Sequence, residues 1–186
     1  MRIIGGNYKG KKLFLPKDKY TRPLKDIVKE SIFNLIIHSN KINIDIEKSK
    51  ILDLFSGTGS FGLECLSRNC KKVVFFENYK EAIKILQKNL NLFLNTENTQ
   101  IYKENFFNFF SSKKFFDFKF DIIFIDPPYK EKRINEIIKT ILEKKLLNKN
   151  GILIIHRHKK DNIRITEKLK IIENRVYGIS KILFGN

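Results

Sequence analysis

Asp126-Pro127-Pro128-Tyr129 closes the apolar run Phe120-Asp121-Ile122-Ile123-Phe124-Ile125. Such a run reads as a buried strand, which puts the tetrapeptide on the carboxyl edge of a sheet, where open α/β folds place their chemistry. Neither proline has a backbone N–H, so the loop offers carbonyl acceptors, one carboxylate and an aromatic face, with few donors. That inventory suits a flat group bearing an NH₂, such as a nucleobase with an exocyclic amine. A second constellation lies earlier in the chain, Asp53-Leu54-Phe55-Ser56-Gly57-Thr58-Gly59-Ser60-Phe61-Gly62, with Glu77 at the end of the next apolar run. Glycines 57 and 59 let backbone approach a ligand closely, and an acid at the next strand's end takes a ribose diol in two hydrogen bonds.

The glycines also satisfy G-x-G-x-x-G, so a dinucleotide oxidoreductase competes with other nucleoside-cofactor enzymes. Asp53 discriminates. A carboxylate just before the loop is poorly placed near a pyrophosphate and suits the cationic amino group or sulfonium of S-adenosylmethionine. Joined to the Asp126 loop, it points to methyl transfer onto an amine.

These residues need a scaffold, and the rhythm of the chain describes one. Residues 2–16 show two short apolar runs around a glycine-rich turn, the pattern of a β-hairpin. Ile27, Val28, Ile32, Leu35 and Ile36 recur at helical spacing over about 24–38. From Lys50 onward strands alternate with amphipathic helices, which implies a parallel sheet with crossover helices. Strands are expected at Ile51–Phe55, Val73–Glu77, Gln100–Glu104, Phe120–Asp126 and Gly151–His156. The intervening helices begin near Ser60, around the Ile83, Leu86, Leu90, Phe93 stripe, and around Ile134, Ile137, Ile138, Ile141 and Leu142. Leu169–Phe184, with Gly178 at a turn, reads as a closing antiparallel hairpin. Phe106, Phe107, Phe109 and Phe110 read as core, with Phe106 also a candidate to flank adenine.

The formal charge is +17, and it is uneven: residues 1–30 carry nine Lys/Arg against three Asp/Glu, and residues 156–186 eight against three. Basic termini around a more neutral centre read as a phosphate-contacting rim. Cys65 and Cys70 form neither a disulfide framework nor a metal pattern, and His38, His156 and His158 form no metal constellation, so no metal is expected. With no apolar segment at the N-terminus long enough for a signal peptide or membrane span, a cytoplasmic protein that does not enter the membrane is expected.

Taken together, Arg2-Ile3-Ile4-Gly5-Gly6, Lys9-Gly10-Lys11-Lys12-Leu13, Thr21-Arg22-Pro23, Phe33-Asn34, Leu52–Gly59, the Asp126 loop and Tyr177-Gly178 carry a resemblance over nearly the whole chain. The chain resembles the RsmD family of class I S-adenosylmethionine-dependent methyltransferases, the 16S ribosomal RNA guanine-N2 methyltransferases. The resemblance implies an α/β, Rossmann-like seven-stranded fold. An N-terminal β-hairpin and helix over 1–40 would contact RNA, and 41–186 would form the methyltransferase domain. It implies Asp126, Pro127 and Tyr129 as the catalytic loop, and Asp53, Ser56, Gly57, Thr58, Gly59, Glu77, Asn105 and Phe106 as cofactor contacts. Lys9, Lys11, Lys12 and Arg22 would meet RNA, Arg22 clamping a phosphate or the cofactor's carboxylate. The expected partner is 16S ribosomal RNA in the 30S subunit or its assembly intermediate, and the expected state a monomer. Asn105 and His156 depart from the family, which usually carries an acid at the first position and a glutamate at the second. Rival readings are a DNA adenine-N6 or cytosine-N4 methyltransferase, which the lack of a separate target-recognition domain disfavours, and a non-catalytic RNA-binding assembly factor with a methyltransferase shell.

Overall fold

Strands buried on both faces of a parallel sheet need near-continuous apolar runs, and β1 (Lys50–Leu54), β2 (Lys72–Phe76) and β4 (Phe120–Ile125) each bury all but one residue. The computed structural model describes residues 1–18, 21, 24–94, 96–112, 114–161 and 165–186. The three strands join β3 (Thr99–Tyr102), β5 (Leu147–His158), β6 (Ile171–Tyr177) and β7 (Ser180–Gly185) in one sheet of order β3-β2-β1-β4-β5-β7-β6. β1 to β5 are parallel, and β7 runs antiparallel to both β5 and β6. Helices α2 (Ser60–Ser67) and α3 (Lys80–Leu90) carry the chain outward from β1 to β2 and β3. After α4 (Phe106–Ser111) it returns to the other side of β1 as β4, and α5 (Ile134–Glu143) leads on to β5. The strand order reverses at the carboxyl ends of β1 and β4, the crevice where open α/β sheets bind ligands.

Side chains alternate across the pleat. Ile51, Val73, Ile122, Phe124 and Ile154 share a core with α1 (Asp26–His38), α2 and α3, and Leu52, Val74, Ile123, Ile125 and Ile155 share one with α4 and α5. Ile3, Leu13, Val28, Ile32 and Phe33 join the first of these cores, so the start of the chain and α1 pack directly on the sheet layer. Ile27 departs from the expected apolar stripe of α1 and is exposed. Helix α4 has no counterpart among the expected elements, because the run Phe106-Phe107-Asn108-Phe109-Phe110 has no polar face from which a helical period can be read.

The N-terminal hairpin closes on a single antiparallel bridge, Arg2 to Lys12, with Ile3 N–H on the Lys11 carbonyl at 2.9 Å and Gly10 N–H on that of Ile3 at 2.8 Å. A longer ladder does not form because α2 takes the backbone instead. The Glu64 carboxylate accepts Ile4 N–H at 2.9 Å and Gly5 N–H at 2.8 Å, and the Ser67 carbonyl accepts Asn7 N–H at 2.7 Å. The approach is so close that a Cβ on Gly6 would lie 1.9 Å from the Ser67 carbonyl oxygen, and φ there is +72°. Glu64 also meets Lys29 at 3.5 Å and Arg68 at 3.1 Å, with the Lys29 and Glu64 side chains wholly buried.

Among the described residues no helix is long and apolar enough to cross a membrane, and no group of His, Cys, Asp and Glu could hold a metal ion. Cys65 and Cys70 are buried free thiols, and burial pushes both up, Cys70 to about 12, which keeps them unreactive.

Candidate active site

At the end of β1 the chain turns sharply through Phe55, Ser56, Gly57, Thr58 and Gly59 into α2. Ser56 N–H bonds the Phe76 carbonyl at 3.0 Å, and Gly59 N–H returns to the Ser56 carbonyl at 2.7 Å. Gly59 sits at φ +85°, and a Cβ there would lie 2.4 Å from Leu86 of α3. The turn therefore needs glycine for conformation and for close packing together. Glu77, just past β2, anchors the loop: Oε2 accepts Gly57 N–H at 2.7 Å, and Oε1 accepts the N–H groups of Asn78 and Tyr79, each at 2.8 Å. Ionised carboxylates hold about four lone-pair sites, so one on Oε2 remains for a ligand.

Asp53, one strand position inside the loop, is buried and accepts Gly62 N–H at 3.0 Å. Burial pushes its carboxyl well above the usual carboxylate range, only partly offset by that hydrogen bond and reinforced by the charges of Asp126 and Glu77. The folded protein thus holds this proton more tightly than the unfolded chain does. This group's contribution to stability is full below the ordinary carboxylate range and is lost as pH rises through the raised value. We expect the melting temperature of the protein alone to show that decline, and Asp53→Asn to remove it; identical pH profiles for the two proteins would contradict the assignment. A cationic ligand favours the ionised form, so its binding releases a proton, measurable by calorimetry in buffers of different ionisation enthalpy.

Across the switch point, β4 delivers Asp126, whose Oδ1 lies 2.8 Å from His156 Nδ1 on β5. Pro127 is buried, Pro128 exposed, and Tyr129 is 40% exposed, meeting the His158 ring edge to face at 5.1 Å. The loop is shaped from behind by Arg157, itself buried, which donates to the carbonyls of Pro128 at 3.3 Å, Tyr129 at 3.4 Å and Glu131 at 3.2 Å and pairs with Asp161. No described residue donates to the Pro127 carbonyl.

Asp53, Ser56, Gly57, Thr58, Glu77, Asp126, Pro127 and Tyr129 all line one cavity of about 600 Å³, a size suited to a nucleoside-bearing ligand. Three carboxylates and one lysine, Lys130, line it although the chain carries +17 overall, so the balance of charge there favours a cation over a pyrophosphate. A shallower groove of about 830 Å³ between α1 and β6 contains none of these residues, and the chemistry belongs to the smaller space.

Other expected site residues lie elsewhere. Asn105 caps α4, its side-chain oxygen taken by Phe107 N–H at 2.8 Å, and Phe106 is buried in the core on the α4 face; neither lines the cavity. Lys9 and Lys12 are exposed and Lys11 half-buried, its Nζ on the Leu92 carbonyl at 2.8 Å just beyond α3. The Gly6–Gly10 turn rests on the last residue of α2, so Lys9 and Lys11 hang at the end of that helix opposite the glycine loop. Arg22 lies outside the described residues, although its neighbour Thr21 lines the cavity. Sequence reasoning missed two residues of the site, Tyr79, which lines the cavity and whose hydroxyl donates to Asp18 at 3.1 Å, and Arg157 behind the Asp126 loop; His156, noted only as a departure from the family, meets Asp126. The available signal was Ile154-Ile155-His156-Arg157-His158, polar side chains appearing abruptly at the carboxyl end of a buried strand.

The family described as Conserved hypothetical protein 95 matches the chain over residues 1–186. Ribosomal RNA small subunit methyltransferase D of Haemophilus influenzae is 31% identical over 180 residues, covering 96% of this chain and 90% of that protein. The solved structure of yhhF from Escherichia coli superposes with a TM-score of 0.81 at 26% identity, over 100% of this chain and 96% of that one. A more distant fold neighbour, SMU.776, solved in complex with SAH, gives 0.64 at 18% identity over 84% of this chain and 48% of that one. The fold, with its β3-β2-β1-β4-β5-β7-β6 sheet, is that of the Rossmann-like class I methyltransferases.

Proposed function

We propose that this chain, which belongs to the RsmD family of ribosomal RNA small subunit methyltransferase D proteins, methylates the exocyclic N2 of a guanine in 16S ribosomal RNA with S-adenosylmethionine as methyl donor. The observation that carries the reading is that one acidic cavity joins the Glu77-anchored glycine loop to the Asp126-Pro127-Pro128-Tyr129 loop. The residues present fit the donor: Glu77 has a lone pair left for a ribose hydroxyl, and Asp53 answers a cationic amino-acid end. When bound, S-adenosylmethionine supplies a methyl group on a cationic sulfur.

Guanine N2 is a poor nucleophile because its lone pair is delocalised into the ring. Asp126, through the oxygen that His156 does not engage, and the Pro127 carbonyl, which Arg157 leaves free, each accept one N2–H. Together they draw the nitrogen toward tetrahedral geometry, and the carboxylate stabilises the positive charge that develops there. Asp126 then receives the proton once the N–C bond has formed, so strong basicity beforehand is not required. Tyr129, half out at the cavity mouth, stacks on the extruded base. Such a substrate places the work in the cytoplasm, on the 30S subunit or its assembly intermediate, with the chain acting as a monomer.

Digestion and mass spectrometry of 16S RNA incubated with the protein and labelled donor tests the reading. Label on N2-methylguanosine supports it, whereas label on adenine or cytosine amines, or no transfer, refutes it. Glu77→Ala should weaken donor binding by about 1–3 kcal/mol, because it removes a charged acceptor and unlatches Gly57; unchanged affinity by calorimetry would take Glu77 out of the site. RNA affinity should fall steeply with salt, and neutralising Lys9, Lys11, Lys12 and Arg22 should flatten that dependence by about 0.7–0.9 for each phosphate the protein no longer neutralises. An unaltered slope would detach the N-terminal segment from RNA binding.

A further inference from the structure

We propose that His156 is a positioning residue for methyl transfer, holding Asp126 by Oδ1 so that Oδ2 alone meets the amine; the inference rests on the function proposed above. The sheet register sets up the pair. Ile125 of β4 lies opposite Ile155 of β5, so the next residues, Asp126 and His156, emerge side by side at the carboxyl edge and on the same face. The imidazole is buried, 3% exposed, with Nδ1 2.8 Å from Asp126 Oδ1.

An ionised carboxylate only accepts hydrogen bonds, so Nδ1 carries the proton in this contact. Nε2 is buried without a partner among the described residues. A lone pair in that setting costs less than an unmet N–H would, and both ends of the ring therefore select the same tautomer. The bond is charge-assisted and fixes the carboxylate's rotation, which a side chain at the edge of the sheet would otherwise sample freely. His158, two residues on, braces the Tyr129 ring, and Arg157 holds the carbonyls of Pro128 and Tyr129. The end of β5 is thus the rigid backing of the Asp126 loop, and His156 is its contact with the carboxylate itself.

Two variants separate this role from packing. Asparagine at 156 offers an amide donor near the place of Nδ1, and leucine fills similar space with no donor. In single-turnover assays on 30S particles, His156→Leu should slow transfer at least about 10-fold, with affinities for S-adenosylhomocysteine and for the particle unchanged. His156→Asn should recover most of the loss. Wild-type rates for His156→Leu would overturn the proposal, as would equal slowing of both variants in step with lowered melting temperatures. Nitrogen-15 spectra of the histidine rings read the contact without any substrate: a protonated Nδ1 and bare Nε2 at His156, altered by Asp126→Ala, are expected. A ring protonated on Nε2 overturns the proposal whichever reaction the chain performs, whereas a wild-type chain inert toward RNA would instead remove the function beneath it.

Discussion

Asp126→Ala should lower the rate of methyl transfer by at least about 100-fold, roughly 2.7 kcal/mol on the barrier, with donor affinity little changed. The separation follows from the two halves of the cavity. The donor side, as proposed, is formed by Glu77, Gly57 and the turn into α2, none of which bonds Asp126. Asp126 itself interacts with His156, and in the proposed mechanism it acts most strongly as charge develops on the amine. Tyr129 should behave differently. Its replacement by alanine removes stacking worth about 1–3 kcal/mol per base and weakens capture of the guanine, whereas Tyr129→Phe keeps the ring and most of the activity. Single-turnover kinetics on 30S particles distinguish the two, and transfer by Asp126→Ala at the wild-type rate would sink the mechanism even if the chain proved to methylate RNA.

Glu64→Ala should cost about 3–5 kcal/mol of stability, the usual penalty for stranding one member of a buried ion pair. Lys29 and Glu64 are both wholly buried, and Glu64 also pairs with Arg68 and receives the Ile4 and Gly5 N–H groups, so alanine strands the buried Lys29 charge, takes the ion pair from Arg68 and leaves two backbone donors unmet. The loss depends on pH in a defined direction. Burial already lowers Lys29 below its ordinary value of 10.5, with Glu64 the largest opposing influence, and removing Glu64 lowers it further. A base held below its unfolded value binds fewer protons when folded, so the deficit is greatest at neutral pH and shrinks as pH rises through the lowered value toward 10.5. Denaturant titrations of Glu64→Ala across that range provide the check, together with the Lys29→Met, Glu64→Ala double variant, which should regain much of the loss. Hydrogen exchange should show residues 1–14 opening first, since their contacts with α2 run through Glu64 and Ser67. A single variant as stable as wild type would mean that the N-terminal segment is held by its apolar contacts alone.

Much of the architecture was legible because it depends on local pattern. Fully buried strands must be apolar throughout and crossover helices must be amphipathic, so the five parallel strands and the closing hairpin could be read within a few residues of their ends. Backbone-dictated residues were legible for the same reason: Gly57 and Gly59, both at positive φ, mark a tight turn, and the two prolines mark a loop with few donors. The acidic positions at strand ends, Asp53, Glu77 and Asp126, follow from knowing where strands stop.

What the chain alone left open concerns contacts between residues far apart in sequence. Glu64 looks like one more helix surface acid, yet it lies at the centre of a buried cluster because the N-terminal segment and α1 close over α2. Lys9 and Lys11 are near the start of a basic segment, but the hairpin runs along α2 and carries them away from the cavity, so their charge could be read and their position could not. Asn105 and Phe106 were assigned by their place after β3, whereas α4, invisible in a run of four phenylalanines around Asn108, turns one into a cap and the other into core. His156 and Arg157 are the sharpest case. Composition along β5 announces only that polar groups emerge at its end; the register of β4 against β5 puts His156 on Asp126 and Arg157 behind the loop. The sequence by itself determined the elements, the turn chemistry and the carboxylates, because those depend on neighbours along the chain. Tertiary structure alone decided which buried polar group meets which, because a hydrogen-bond partner in a dry interior is set by strand register and helix packing across many intervening residues.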